Sequence, residues 1–182
     1  MTGLIECHLD ACEGFSRVVA QAEGRWERRS PCPEWDARGV VEHVIGFHDV
    51  LLLRPLEAKP RRPKGDPAEG WRVTQAAIGS ALNRFADDPR PPVRDEPTGD
   101  LGRLLPALSA EVLVHTWDLA RAIGVDPALD PRLCRLTLAV VRTNQRQLRD
   151  SGMFGAPVPV AEQADATTLL VAFQGRDPSW TA

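Results

Sequence analysis

The sequence predicts an all-α fold, a bundle of several long helices. Apolar residues recur at three- and four-residue steps through segments of more than ten residues. The stretches between them are rich in proline, glycine and charge, and strand-like alternation is confined to a short run at 156–160. The first helix is expected over 4–28, where Leu4, Ala11, Phe15, Val18, Ala22 and Trp26 keep the spacing. The segment SPCPEWD interrupts it with two prolines, and Asp36 is an N-cap for a second helix reaching Leu53. Val40, Val44, Phe47 and Leu51 form its apolar stripe. RPLEAKPRRPKGDPAEG, 54–70, reads as a solvated loop, and a third helix follows over 71–86. DDPRPPVRDEPTGD, 87–100, is a second loop. A fourth helix fills 104–123, with Pro106 in its first turn and Gly124 as its stop. Asp130-Pro131 opens a fifth helix to Arg149. An irregular SGMFGAPVPV then leads to a short helix over 164–173.

Composition narrows the function. The chain has 182 residues, which suits one domain over 1–182. It is 43% hydrophobic and 26% charged, with a net charge of −3. Those values fit a globular protein and give no basic footprint for nucleic acid. No apolar run is long enough to span a membrane. The N-terminus MTGLIECHLDACEGF lacks the basic-then-apolar order of a signal peptide, so the expected compartment is the cytoplasm. Cys7, Cys12, Cys32 and Cys134 form no CxxC pair and read as small buried hydrophobes.

The informative polar residues lie on the fourth helix. With Leu108 at zero on a wheel of ~100° per residue, Leu104, Val112 and Leu119 fall within about 40° of it. Glu111 falls at about −60° and His115 at about −20°, inside the apolar stripe and one turn apart. A carboxylate alone in a core is costly; beside an imidazole it is stable if the two share a cation. A hydrogen-bonded Glu–His pair is the alternative. The second helix offers His43, on the side of Val40 and Phe47, or His48, about 140° away on the wheel. One spot cannot take both from a regular helix. The set His43, Glu111 and His115 has the two nitrogens and one carboxylate of open zinc sites and equally of non-haem iron sites. Asp118 either orients a ligand or pairs with Arg121 or Arg38. His8 reads as a satisfied core histidine, and Trp35 and Trp117 as packing groups.

The segments SPCPEWDARGVVEHVIGFH, EVLVHTWDLARAIG and SGMFGAPVPV…LLVAFQGRDPSW, taken in order, resemble the actinobacterial maleylpyruvate-isomerase-like proteins of the DinB-like superfamily, in their single-domain branch. The resemblance implies a four-helix bundle with an up-down-down-up path and a short extra C-terminal segment. It implies a divalent metal between helices, zinc above nickel, iron(II) or manganese. It favours His43 over His48 and carries ligation onto His43, Glu111 and His115, with Asp118 and Arg121 behind them. It also implies a thiol cosubstrate, mycothiol, and a mycothiol-dependent S-transferase or isomerase reaction on a small electrophile, in a chain that pairs as a homodimer. Three protein ligands leave a fourth position, and a metal lowers the pKa of a thiol there. Arg38 or Arg121 is the expected anchor for a carboxylate of the thiol or substrate. Metal-dependent hydrolysis, a bundle merely stapled by its ion, and a metal-free interaction module are the competing expectations.

Overall fold

The computed structural model describes residues 2–87, 101–150 and 155–182. Among them the regular elements are helical: α1 (Thr2–Val19), α2 (Ala37–His48), α3 (Pro67–Asp87), α4 (Leu101–Ile123), α5 (Pro131–Thr143), α6 (Gln145–Asp150) and α7 (Ala166–Phe173). The all-α expectation holds. The expected loop at 87–100 lies, beyond its first residue, outside the described residues, as do the first four residues of SGMFGAPVPV.

Several boundaries follow the local chemistry read from the sequence. Asp36 caps α2, its carboxylate accepting from the Gly39 N–H at 2.8 Å. Asp130 caps α5 in the same way, with Pro131 in the first turn. Gly124 ends α4 with φ +73°. Other boundaries differ. α1 stops at Val19 rather than near residue 28, because the chain tightens into turns at Gln21 and Ala22 and Gly24 takes φ +72°. Ala22 is nonetheless fully buried and Trp26 half-buried, so the spacing there reported burial rather than helix. The single fifth helix is two, separated at Asn144. Pro106 sits in the second turn of α4, which begins at Leu101. The short strand at 156–160 does not form: Val158 donates one hydrogen bond to the Ala172 carbonyl and no ladder follows.

The first four helices form a ring in which α4 packs on α1 and α2, and α3 closes the far side against the same two. α5 and α7 pack on each other and on α4. α4 is therefore covered nearly all round, and every residue from Leu108 to Ala120 is buried. A helix buried on all sides must satisfy each polar side chain internally. His115, Thr116 and Asp118 meet that demand on one stretch of α4, and Glu111 meets it only in part. Immediately after His48, α2 widens into a π-helical turn over Asp49–Leu53, a feature that concentrates at functional sites.

The end of α7 aims a tail residue at α4. Gly175 donates to the Ala172 carbonyl and Arg176 to the Val171 carbonyl, the paired bonds of a Schellman stop. Gly175 has φ +88°, and a Cβ there would lie 2.9 Å from the Gly155 Cα. Gly175→Ala is accordingly expected to cost about 1–3 kcal/mol and to swing Arg176 off its partner. Thermal unfolding, with the salt dependence of any metal uptake as a second readout, checks this.

Candidate metal centre

The centre stands on three elements. The loop 26–36 is tied back on itself: Ser30 Oγ donates to the Trp35 carbonyl at 2.7 Å, and Ala37 N–H donates to the Arg28 carbonyl at 2.8 Å. Gly39 leaves room for Trp35, whose Cβ would be 2.9 Å from a side chain there. Trp35 thus folds over the first turn of α2 and stacks on His43, ring centroids 4.1 Å apart and tilted by 25°. It also presents its edge to His115 at 5.6 Å. The expectation of a plain packing role holds for Trp117, which packs with Val114 and Val171, but understates Trp35.

α2 and α4 bring His43, Glu111 and His115 together, one ligand atom from each within 4.8 Å of the others. Glu111 Oε2 lies 3.4 Å from His115 Nε2 and 4.0 Å from His43 Nε2. His115 Nδ1 donates to Asp118 Oδ2 at 2.9 Å, so Nε2 faces Glu111 and is the atom a metal would take in place of a proton. Glu111 Oε1 is buried without a hydrogen-bond partner, an orphaned acceptor at the centre. A carboxylate with one oxygen beside two imidazole nitrogens and the other unpaired is a donor set that fits a divalent ion of the zinc type. His48 points elsewhere, to His8.

Asp118 is completely buried. Its partner is Arg176, which donates from Nε at 2.9 and 3.2 Å and from Nη2 at 2.9 Å. Neither expected arginine takes that place: Arg121 lies over the Trp117 ring at 5.2 Å and lines a separate cavity, and Arg38 donates to the Gly65 carbonyl. Sequence reasoning missed Arg176 altogether. The sequence carries no local signal for a pairing 58 residues away.

The centre forms one wall of a cleft of about 600 Å³. Cys32, Trp35, Phe47, Leu51, Gln174 and Arg176 line it with the three candidate ligands. Access runs past His43, whose side chain is 33% exposed against 9% for Glu111 and 3% for His115. Cys32 is half-buried at this wall rather than in the core, and Cys7 is also half-buried; only Cys12 and Cys134 are buried as expected. Burial raises the Cys32 thiol pKa, so the chain's own thiol at the cleft is protonated at neutral pH.

Burial opposes every charge here, and the hydrogen bonds outweigh it. Glu111 is held down to about 2 by His115 and His43 against its burial. His115 is raised above 6.5, since Asp118 and Glu111 overcome its burial. Asp118 is lowered by His115 and Arg176 against the same opposition. The metal-free protein is therefore expected to lose stability on both sides. The His115 contribution is complete below 6.5 and fades as pH rises through its raised folded value. The Glu111 contribution is complete above 4.5 and fades as pH falls through about 2. Melting of chelated protein from about pH 3 to about pH 9 checks this, and added metal should remove the alkaline decline by replacing the proton on His115.

Over residues 8–120 the chain matches the family described as the mycothiol maleylpyruvate isomerase N-terminal domain. The chain belongs to this family. Two relatives from Mycobacterium tuberculosis, uncharacterized protein MT0763 of strain CDC 1551 / Oshkosh and uncharacterized protein Rv0738 of strain ATCC 25618 / H37Rv, are each 33% identical over 178 residues. Those alignments cover 93% of this chain and 95% of each relative. No solved structure matches the chain significantly. The family match spans α2 and most of α4, hence all three candidate ligands and Asp118, whereas Arg176 lies beyond it. Among the described residues no helix is long and apolar enough to cross a membrane.

Proposed function

We propose that the protein is a metal-dependent thiol transferase or isomerase, with a divalent ion, zinc by preference, held by His43, Glu111 and His115 and mycothiol as cosubstrate. The observation that carries this reading is the convergence of three ligand atoms within 4.8 Å on the wall of a solvent-reached cleft. A dipositive ion there would lower the pKa of an incoming thiol and supply a thiolate nucleophile.

The chain's own residues do the rest. Asp118 holds the His115 proton on Nδ1, and Arg176 holds Asp118. That outer pair is internally neutral, so a dipositive ion with one carboxylate leaves the centre at +1, a charge that a thiolate cancels. Trp35 and Phe47 flank His43 with aromatic surface at the mouth of the centre. Gln174 and Arg176 give the cleft its polar edge against apolar Leu51 and Val114, a lining suited to a small electrophile with a polar group.

Isothermal titration of mycothiol into metal-loaded and chelated protein, with turnover on a panel of small electrophiles, tests the proposal. Thiol binding that requires the metal and thiol-dependent consumption of an electrophile are expected. Loaded protein that binds no thiol would overturn it.

A further inference from the structure

A second cluster is made by different residues of α1 and α2. His8 and Cys12 come one turn apart from α1 and His48 from the end of α2; all three are fully buried, with ligand atoms within 4.8 Å of one another. Ser109 of α4 stands behind His8. Four short contacts run through this cluster in line. His48 Nδ1 meets the Val44 carbonyl at 2.7 Å, and His48 Nε2 meets His8 Nε2 at 3.2 Å. His8 Nδ1 meets Ser109 Oγ at 3.1 Å, and Ser109 Oγ meets the Leu105 carbonyl at 2.8 Å.

Four contacts need four protons, and the two neutral imidazoles and one hydroxyl bring three. The carbonyls at both ends only accept, so His48 carries its proton on Nδ1 and Ser109 gives its own to Leu105. His8 must then donate from Nδ1 to Ser109. Both Nε2 lone pairs are left facing each other at 3.2 Å. Reversing His8 and Ser109 fills that gap only by leaving two oxygens 2.8 Å apart with no proton between them. Cys12 Sγ, 3.7 Å from His8 Nε2, could supply the fourth proton only by becoming a thiolate beside an imidazolium. Burial works against both charges: it raises the Cys12 thiol and lowers His8 to about 4.

A cation at the meeting point removes the conflict. Each Nδ1–H is then donated outward, to Val44 and to Ser109, and each Nε2 lone pair turns inward, as in histidines that ligate metals. Two nitrogens on a three-coordinate ion sit about 3.5 Å apart, and nitrogen and sulfur about 3.7 Å, from metal–nitrogen and metal–sulfur lengths of about 2.0 and 2.3 Å. The observed 3.2 and 3.7 Å lie within about 0.3 Å of those spacings. The charge of the ion follows from burial. Two neutral imidazoles and one thiolate carry −1, and the ion pair of Arg62 with Asp49 beside His48 is already balanced. A monovalent ion makes the enclosed site neutral, while a divalent one leaves +1 with no counter-charge in an apolar interior. Thiolate and imidazole ligands are soft enough for copper(I). We propose that His8, Cys12 and His48 form a second metal site, separate from the cleft, that takes a single copper(I) ion.

The test is an anaerobic titration of the full chain with copper(I) against bicinchoninate, on wild type and on His115→Ala, whose cleft centre is disabled. One equivalent of copper(I) is expected in both proteins, with an X-ray absorption edge of copper(I) and a shell of one sulfur and two nitrogens. Cys12→Ala should lose that equivalent. Ser109→Ala, which keeps all three ligands, should weaken it about 10–100-fold, and circular-dichroism melts confirm that each variant is folded. No copper(I) uptake by wild type, uptake unchanged in Cys12→Ala, or a preference of this cluster for zinc over copper(I) would each overturn the proposal. Because His115→Ala isolates this cluster, failure of the cleft reading leaves the result interpretable, and the reverse also holds.

Discussion

His115→Ala is expected to abolish divalent-metal uptake at the cleft. The substitution removes an inward-facing nitrogen and frees Asp118 of one of its two partners. The loss should exceed the 10–100-fold that follows removal of an outer hydrogen bond. Stability gives a second readout. A ligand at about 1,000 times its Kd stabilises a folded protein by about 4 kcal/mol, and this increment should vanish in the variant. Without metal the variant should still be less stable than wild type, because Glu111 loses its nearer partner and Asp118 keeps only Arg176. Elemental analysis and melting with and without zinc check both parts. Metal content equal to wild type would remove His115 from the ligand set.

Asp118→Ala carries the second large effect, and it falls mainly on the fold. The carboxylate is wholly buried and accepts from both His115 and Arg176. Its removal strands a largely buried guanidinium, and breaking a buried pair from one side costs about 3–5 kcal/mol. Metal affinity should fall about 10–100-fold, since nothing then fixes the His115 tautomer. Asp118→Asn keeps the volume and one acceptor and should recover part of both losses. Arg176→Ala in the Asp118→Ala background should cost little more, because the two residues act as a unit. A double-mutant cycle measures that coupling, and additive losses would show the pair to be independent.

What the sequence made legible had a local cause. Asp36, Asp130 and Gly124 are read at their own helix ends, where one side chain or one dihedral decides the outcome. The gathering of Glu111 and His115 was legible because i,i+4 spacing on one helix fixes their proximity. That His43 and His48 cannot share one point was legible too, since five residues turn α2 too far, and the two do face different clusters; the choice of His43 leaned on the family resemblance. What depended on distant contacts was not legible. Arg176 reaches Asp118 from another element, and nearer arginines at 38 and 121 were the plausible substitutes. His8 and Cys12 stood in plain i,i+4 register, yet the apolar face around them reads equally as core, and only the arrival of His48 distinguishes the two. Ala22 and Trp26 continue the α1 spacing while the backbone has already turned, since apolar periodicity follows burial and Gly24 sets the conformation.

The Arg176–Asp118 pairing has a consequence for biosynthesis. A nascent chain that has emerged only through α4 already carries His43, Glu111 and His115, but the guanidinium that steadies them is still unmade. Such a chain would grip an ion loosely and exchange it readily with its surroundings. On the proposed reading, tight capture is expected only once the later segment docks, which gives the choice of metal to the folded chain and not to the nascent one.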